Sequence, residues 1–343
     1  MVLILVLILT LILNLNFSLI IKYRNYQLMK LITTPVLCLV MLFAAFSNMQ
    51  AQTSSDDIMM KKGEACLAVD YNTGSWDQYW EGTYLRSNGN VQTLHRTAIT
   101  PMVAVGLHKK VNLLIATPYV QTQSSDPNGG KQAGAKGFQD IAIDLKVKWL
   151  NLGNDKSRLS FLTNFGFATP ISNYLSDYAP YSIGLGTREL SARGILQYKL
   201  GGLYLRGAVA HLWRGETEIE RDYYYNNGSY YTNLMDVPNA WNYHGVLGIW
   251  LFDNSLKIQA NYMGIKSTSG DDIRAYNAGQ PTNKVEFEQA GALAHYYFKG
   301  IKGLGLYGYY NQVFSGRNMG KFTTIGGGIT YQFNMLNNNE DEN

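Results

Sequence analysis

Five histidines, His95, His108, His211, His244 and His295, are spread singly along the chain. None falls in an HExxH pair that would hold zinc, and neither a CxxC pair nor a phosphate-cradling glycine loop occurs. Cys66 has no nearby histidine to activate its thiol and reads as an inert strand residue. Asp271-Asp272 is a pair of loop acids, a pattern that is usually just solvated. No catalytic group, metal or cofactor follows from these residues. The patterned chemistry lies elsewhere, in charges that alternate with apolar side chains: Asp140, Asp144, Lys146 and Lys148; Glu189, Arg193 and Lys199; Arg206 and Arg214; Glu286 and Glu288. Such residues can line a water-filled passage, and their mixed signs imply a paired network rather than a selectivity ring of one sign. A second candidate is the tract Tyr223, Tyr224, Tyr225, Tyr230 and Tyr231. Its rings could contact an apolar or sugar ligand by stacking, or pack on the structure beneath them.

The charges must be positioned by strands. From Asp140 to Trp149, Ile141, Ile143, Leu145, Val147 and Trp149 fall on one face, and Asp140, Ala142, Asp144, Lys146 and Lys148 on the other. A helix would scatter these charges around its circumference, whereas a strand sorts them. Similar segments recur near 64–72, 91–107, 111–123, 138–150, 157–168, 187–200, 203–214, 240–252, 255–267, 284–298, 303–314 and 321–334. Short connections such as His108-Lys109-Lys110, Gly201-Gly202 and Asp253-Asn254 alternate with long ones rich in Gly, Ser, Asn, Asp and Tyr.

Short turns on one side, long loops on the other and an even strand count predict an all-β fold: an antiparallel transmembrane up-and-down β-barrel of about twelve strands. A soluble β-sandwich also alternates, but it needs charge to coat its solvent faces. Only 16% of residues are charged, against about 25% in average soluble domains. Aromatic residues gather where a membrane interface would lie: Tyr119, Trp149, Tyr198, Trp213, Trp241, Tyr243, Trp250, Tyr296, Tyr297, Phe298, Tyr331 and Phe333. Some membrane barrels are enzymes. The outer-membrane phospholipase pattern places a nucleophilic Ser two residues after its His, but here those positions hold Thr97, Lys110, Trp213, Val246 and Tyr297. The aspartyl-type outer-membrane protease pairs Asp-His with Asp-Asp, and no Asp-His pair accompanies Asp271-Asp272. The chain is therefore read as non-enzymatic.

The first 51 residues contain no acid. Met29-Lys30, the apolar run Leu31 to Phe46 and the small-residue site ending at Ala51 have the plan of a secretory signal peptide, with translation expected to start at Met29 and residues 1–28 an upstream extension. Cleavage after Ala51 removes Lys22, Arg24 and Lys30, which leaves 26 of 29 basic residues against 25 acidic ones. The net charge falls from +4 to +1, and the case for nucleic acid goes with it. The expected organisation is a leader over 1–51, a short polar segment 52–63, a barrel over 64–334 and a polar tail over 335–343. The sequence leaves open whether segment 52–63 enters the barrel.

The last strand carries Gly328, Tyr331 and Phe333, which resemble the terminal signal read by the barrel-assembly machinery, although a tail follows here. The stretch from Val103 to Gly215 resembles the transporter family associated with the meta-cleavage pathway of phenol degradation, a relative of the fatty-acid and aromatic-hydrocarbon channels. The resemblance is carried by Val105 to Leu113, Thr117-Pro118-Tyr119-Val120, Gly137-Phe138-Gln139-Asp140 with Lys146 and Lys148, Ala168-Thr169-Pro170 and Gly184-Leu185-Gly186-Thr187. It covers about the middle third of the chain well. It implies passage of small, largely apolar or aromatic molecules across the outer membrane, with lipid, the assembly machinery and the solute as partners. A structural or surface-interaction barrel without transport is the alternative.

Overall fold

The computed structural model describes residues 53–335 apart from 90, 127–133, 155 and 275–277. The expected signal peptide, its cleavage point and most of the polar tail lie outside the described residues. Twelve long strands follow in chain order: β1 (Glu64–Trp76), β2 (Leu94–His108), β3 (Val111–Ala116, resuming as Tyr119–Ser124), β4 (Lys136–Phe138, resuming as Asp140–Gly153), β5 (Ser157–Pro170), β6 (Glu189–Leu200), β7 (Leu203–Arg214), β8 (Ala240–Leu251), β9 (Leu256–Ser267), β10 (Glu286–Tyr297), β11 (Leu304–Arg317) and β12 (Thr323–Asn334).

Each strand pairs antiparallel with its chain neighbour, and β1 pairs with β2 on one side and β12 on the other. The sheet is a closed barrel with no free edge, so every strand's backbone groups find partners within the wall. The sequence reads β3 and β4 as continuous, but both break, and they break side by side. Pro118 has no N–H to give to the ladder, so the chain steps past it and the Pro118 carbonyl instead accepts from the Gln139 N–H at 2.9 Å. Register also shifts at Gly106/His108 in β2, at Lys148/Leu150 in β4, and opposite Glu288/Gln289, where Phe314 is the extra residue of a bulge in β11.

The two faces of the wall differ as the alternation requires. Leu67, Val69, Leu145, Trp149, Leu205, Leu247 and Ile329 are exposed on the outer face, while Asp70, Lys146, Gln197, Arg206 and Lys257 are buried on the inner one. Tight turns such as Gly201-Gly202, where Gly201 takes a left-handed φ of 59°, join strands at one end. Long loops rise from the other end and form their own small hairpins, Gln78–Glu81 with Tyr84–Ser87, Glu216–Glu218 with Leu234–Asp236, and Tyr224–Tyr225 with Ser229–Tyr230.

Candidate functional site

The candidate site is the barrel interior. In its middle, charges meet opposite charges or amides across the wall. Asn164 Nδ2 donates to Asp144 Oδ1 at 2.6 Å, and Arg193 Nη1 donates to Asn242 Oδ1 at 2.9 Å. Arg214 Nε donates to Glu189 Oε2 at 2.8 Å, and Arg96 Nη2 to Gln139 Oε1 at 3.3 Å. Asp70 receives the hydroxyls of both Tyr307 and Tyr309 at 2.9 Å and the Asn72 amide at 2.9 Å. The Tyr307 and Tyr309 rings lie flat on the wall because Gly328 and Gly326 face them; a Cβ on Gly326 would stand 2.4 Å from Tyr309 Cζ.

Interior rings continue toward the tight-turn end. Tyr307 lies 5.2 Å from His295, which stacks 4.0 Å from Tyr297, which in turn lies 5.9 Å from Trp250. Trp250 and Tyr297 were expected in the interfacial belt, but they belong to the inner face of β8 and β10. Residue type alone does not separate the two parities there, because both faces of these strand ends carry rings. Trp149, Tyr198, Trp213, Trp241 and Tyr296 are on the outer face, as expected of a belt.

Two charges expected inside are not. Glu286 and Glu288 pair in register with Lys266 and Gly264, and Gly264 faces the ring of Tyr243 on the outer surface. Tyr243 stacks on Tyr262, which packs against exposed Phe314, and Glu288 lies beside both tyrosines. Both share the parity of outward-facing Tyr296 on β10, opposite to inward-facing His295 and Tyr297, so regular alternation carries the two carboxylates to the outer rim at the loop end. The expectation of an inner position fails because the adjacent rings Tyr296, Tyr297 and Phe298 conceal which parity of this strand faces lipid.

The tight-turn end of the interior is filled by residues 53–63, which fold back into the barrel ahead of β1. Lys146 Nζ donates to Asp56 Oδ1 at 2.8 Å, to the Asp56 carbonyl at 3.0 Å and to the Thr53 carbonyl, all inside a site with no solvent exposure at Lys146. Asp56 also receives the Thr53 N–H at 2.5 Å, the Thr53 hydroxyl at 2.8 Å and the Ile58 N–H at 3.0 Å. Burial alone would raise the Asp56 carboxyl. Lys146, then Arg206 and Lys257, outweigh it and hold the group below the usual carboxylate range.

Next to it, Asp57 pairs with Arg158 at 3.6 Å. Met59 packs on Leu162, Ile195 and Ala208, and Met60 on Cys66, Ala104 and Leu114. Gly106 permits this docking, because a Cβ there would stand 1.9 Å from the Lys61 carbonyl oxygen. The segment is thus an internal plug that leads into the wall at the start of β1.

The opposite mouth is narrowed by the loop between β5 and β6. Tyr181 is fully buried against Trp76, Val91 and Leu94, and Ile183 against Ala98 and Val120. Thr122 Oγ1 donates to the Tyr181 carbonyl at 2.6 Å, and Ser124 and Tyr181 share a hydroxyl hydrogen bond at 2.8 Å. Tyr174 reaches down to donate to Asp140 Oδ1 at 2.7 Å. Sequence reasoning missed this loop's inward course; Tyr174, Tyr178, Tyr181 and Ile183 among turn residues are the faint signal of it. Above, Tyr224 stacks on Tyr230 at 5.0 Å and is buried with Ile219 and Met235. Tyr223 lies 5.3 Å from Tyr231, which is 85% exposed, and Tyr225 and Tyr223 are also exposed. The last strand places Gly328 on the inner face and stacks Tyr331 and Phe333, 5.9 Å apart, on the outer one.

By sequence, no family model and no curated protein matches the chain. By structure it is similar to a crystal structure of an outer membrane channel from Pseudomonas putida F1, at 11% identity and a TM-score of 0.63, covering 83% of this chain and 100% of that one. It also matches the translocator domain of the autotransporter NalP from Neisseria meningitidis, at 13% identity and a TM-score of 0.42 over 80% of this chain and 89% of that one. A KdgM porin matches at 9% identity and 0.39 over 77% and 98%. Of these, the first carries an argument, and what it carries is the fold. A closed antiparallel barrel with an apolar outer face satisfies its backbone within a bilayer. The architecture is that of an outer-membrane β-barrel and places the chain in the outer membrane.

Proposed function

We propose that the chain is a channel that passes small solutes across the outer membrane by passive diffusion through a narrow, charged lumen. The observation that carries this reading is the interior itself. It is lined by paired charges and amides such as Asp144–Asn164, Arg193–Asn242 and Glu189–Arg214 rather than filled by interlocking apolar side chains from the wall. The closures at both mouths are chain segments, not wall. Asp140, Lys146, Lys148, Lys199 and Arg206 belong to the same lining.

The solute class is small molecules with an apolar or aromatic body, supported by the interior rings from Trp250 through Tyr297, His295 and Tyr307 to Tyr309 and by the resemblance to the phenol meta-pathway transporters. Capture starts at Tyr223, Tyr225 and Tyr231, whose exposed rings offer stacking surfaces. Tyr331 and Phe333, with Gly328, act earlier, as the signal by which assembly machinery receives the strand.

The test is solute uptake by liposomes carrying the purified barrel. Small aromatic alcohols and acids are expected to enter faster than through liposomes without it, and reversing Asp144 to Lys should shift the ion selectivity measured in planar bilayers. A folded barrel impermeable to every solute tried refutes the reading. The second reading, a structural or interaction barrel without transport, is favoured by the closure of both mouths, and that same impermeability would establish it.

A further inference from the structure

The inner wall of the tight-turn half is strongly one-signed. Among the described residues, Lys146 and Lys148 on β4, Arg158 on β5, Lys199 on β6, Arg206 on β7 and Lys257 on β9 converge there, and the wall's own carboxylate at that level is Glu64 on β1. Arg158 stands opposite Lys199 in register. Like charges crowded in this way repel, and at low dielectric they repel strongly. What offsets the repulsion is the plug, which places carboxylates on two consecutive residues against two different cations: Asp56 on Lys146 at 2.8 Å and Asp57 on Arg158 at 3.6 Å. Beside the plug a cavity of about 370 Å³ remains, lined by Asp57, Lys61, Lys148, Arg158, Lys199 and Trp250. Glu64 lines it too, its carboxylate accepting the Lys61 N–H at 2.8 Å and the Gln332 side-chain amide at 3.5 Å, so the cations Lys61, Lys148, Arg158 and Lys199 outnumber the carboxylates Asp57 and Glu64.

We propose that this basic basin is a binding site for small organic dianions with two carboxylates on a short carbon frame, and that Asp56 and Asp57 are its resident occupants. The plug presents two carboxylates held a short distance apart, and the wall reads them with separate cations. A free dicarboxylate reproduces that arrangement and enters through the cavity that already opens on Lys148, Arg158 and Lys199. Trp250, with Lys257 Nζ 5.6 Å above its ring, supplies a flat apolar wall for the carbon frame. Binding at Lys148 and Arg158 displaces Asp57 first, and a ligand that reaches Lys146 releases Asp56 and the plug with it. The site is thus a ligand-operated opening of the lumen. It deepens the channel reading and rests on it only for the consequence of opening, not for the binding itself.

Titration calorimetry on the intact barrel in detergent, with succinate as the probe and propionate as the monoanion control, tests the site. In the wild-type protein the plug competes, so the apparent affinity is reduced by the fraction of basin left open. Asp56→Asn/Asp57→Asn is expected to bind succinate at least about tenfold more tightly than wild type, since the competitor has lost its charge. Lys148→Gln/Lys199→Gln is expected to lose binding, and Lys148→Arg/Lys199→Arg to retain it. Heat-modifiable gel migration reports that each variant is a folded barrel. The proposal is overturned if succinate and propionate bind alike, if the Asn variant binds no more tightly, or if the Gln variant binds as wild type does. Liposome uptake separates the two readings: binding without permeability defeats the channel and leaves the site, whereas permeability without succinate binding defeats the site alone.

Discussion

Replacing Lys146 with Met removes the cation on which the plug closes, in nearly the same volume and with no new polar group. Three hydrogen bonds disappear, to the Asp56 carboxylate, the Asp56 carbonyl and the Thr53 carbonyl. The carboxylate keeps the Thr53 and Ile58 N–H groups as donors and remains near Arg206 and Lys257, so it is weakened rather than orphaned. Removing one member of a buried pair typically costs about 3–5 kcal/mol, and the remaining donors argue for the lower end, about 3 kcal/mol. The barrel need not unfold to relieve that cost. Asp56 can return to water if residues 53–63 alone leave the lumen, so the loss falls on the docking equilibrium of the segment. At about 1.4 kcal/mol per factor of ten, the docked-to-free ratio drops on the order of 100-fold. Amide hydrogen exchange read by mass spectrometry measures this directly. Peptides covering 53–63 should exchange on the order of 100-fold faster while peptides from β5 to β8 keep their wild-type rates. Unchanged exchange in 53–63 would show that the ion pair does not hold the plug, and uniform acceleration along the strands would show that the pair holds the barrel instead.

Gly106→Ala places a methyl group within 1.9 Å of the Lys61 carbonyl oxygen, a backbone atom that cannot swing away, and should release the plug with Lys146 intact; faster exchange in 53–63 again checks it. Tyr181→Ala removes a fully buried ring and its hydrogen bond to Ser124 from the long-loop mouth, a loss of about 3–5 kcal/mol by comparison with other large-to-small aromatic truncations. Liposomes carrying it are expected to admit larger solutes than those with the wild-type barrel. In the loops above, hydrogen bonds from Arg317 hold the Asp272 carboxyl down to about 2. A carboxyl lowered on folding stabilises fully above its unfolded value of about 4, and that stabilisation fades as pH falls toward 2. Proteolysis of the 268–283 loop should therefore accelerate in that window and not between pH 5 and 8, and Asp272→Asn should remove the transition.

The fold was legible because a membrane barrel writes its two solvents into alternate residues. Leu145 and Trp149 meet lipid while Lys146 is buried inside, and a period of two survives wherever the strand is regular. It fails where the strand is not. The Thr117-Pro118 step and the bulge at Phe314 of β11 are local backbone events. On β10 the strand is regular, and adjacent rings of both parities, Tyr296 and Tyr297, conceal that Glu286 and Glu288 face outward. The interior belongs to a different kind of information. That Asp56 meets Lys146, 90 residues away, or that Tyr181 meets Thr122 depends on how a closed sheet folds its ends inward, and no period in the sequence encodes a partner at that distance. Composition could supply one hint, the two consecutive acids of a short segment ahead of a wall whose lower half is rich in Lys and Arg.

The two closures differ in a way that decides which one moves. The loop at the long-loop mouth is tied to the wall at both ends, by Pro170 and Glu189. Its hold on the wall is apolar packing plus hydrogen bonds spread over β1 to β4, with one ion pair, Asp177–Arg221, to a neighbouring loop. Lifting it means exposing Tyr181 and Ile183 together. The plug is continuous with the barrel through Glu64, and beside the packing of Met59 and Met60 its grip includes two carboxylates facing an excess of cations. A solute carrying negative charge competes for those cations directly, whereas it has nothing to exchange with Tyr181. Opening by charge therefore acts on the plug, and the loop above sets what size of molecule arrives to do it.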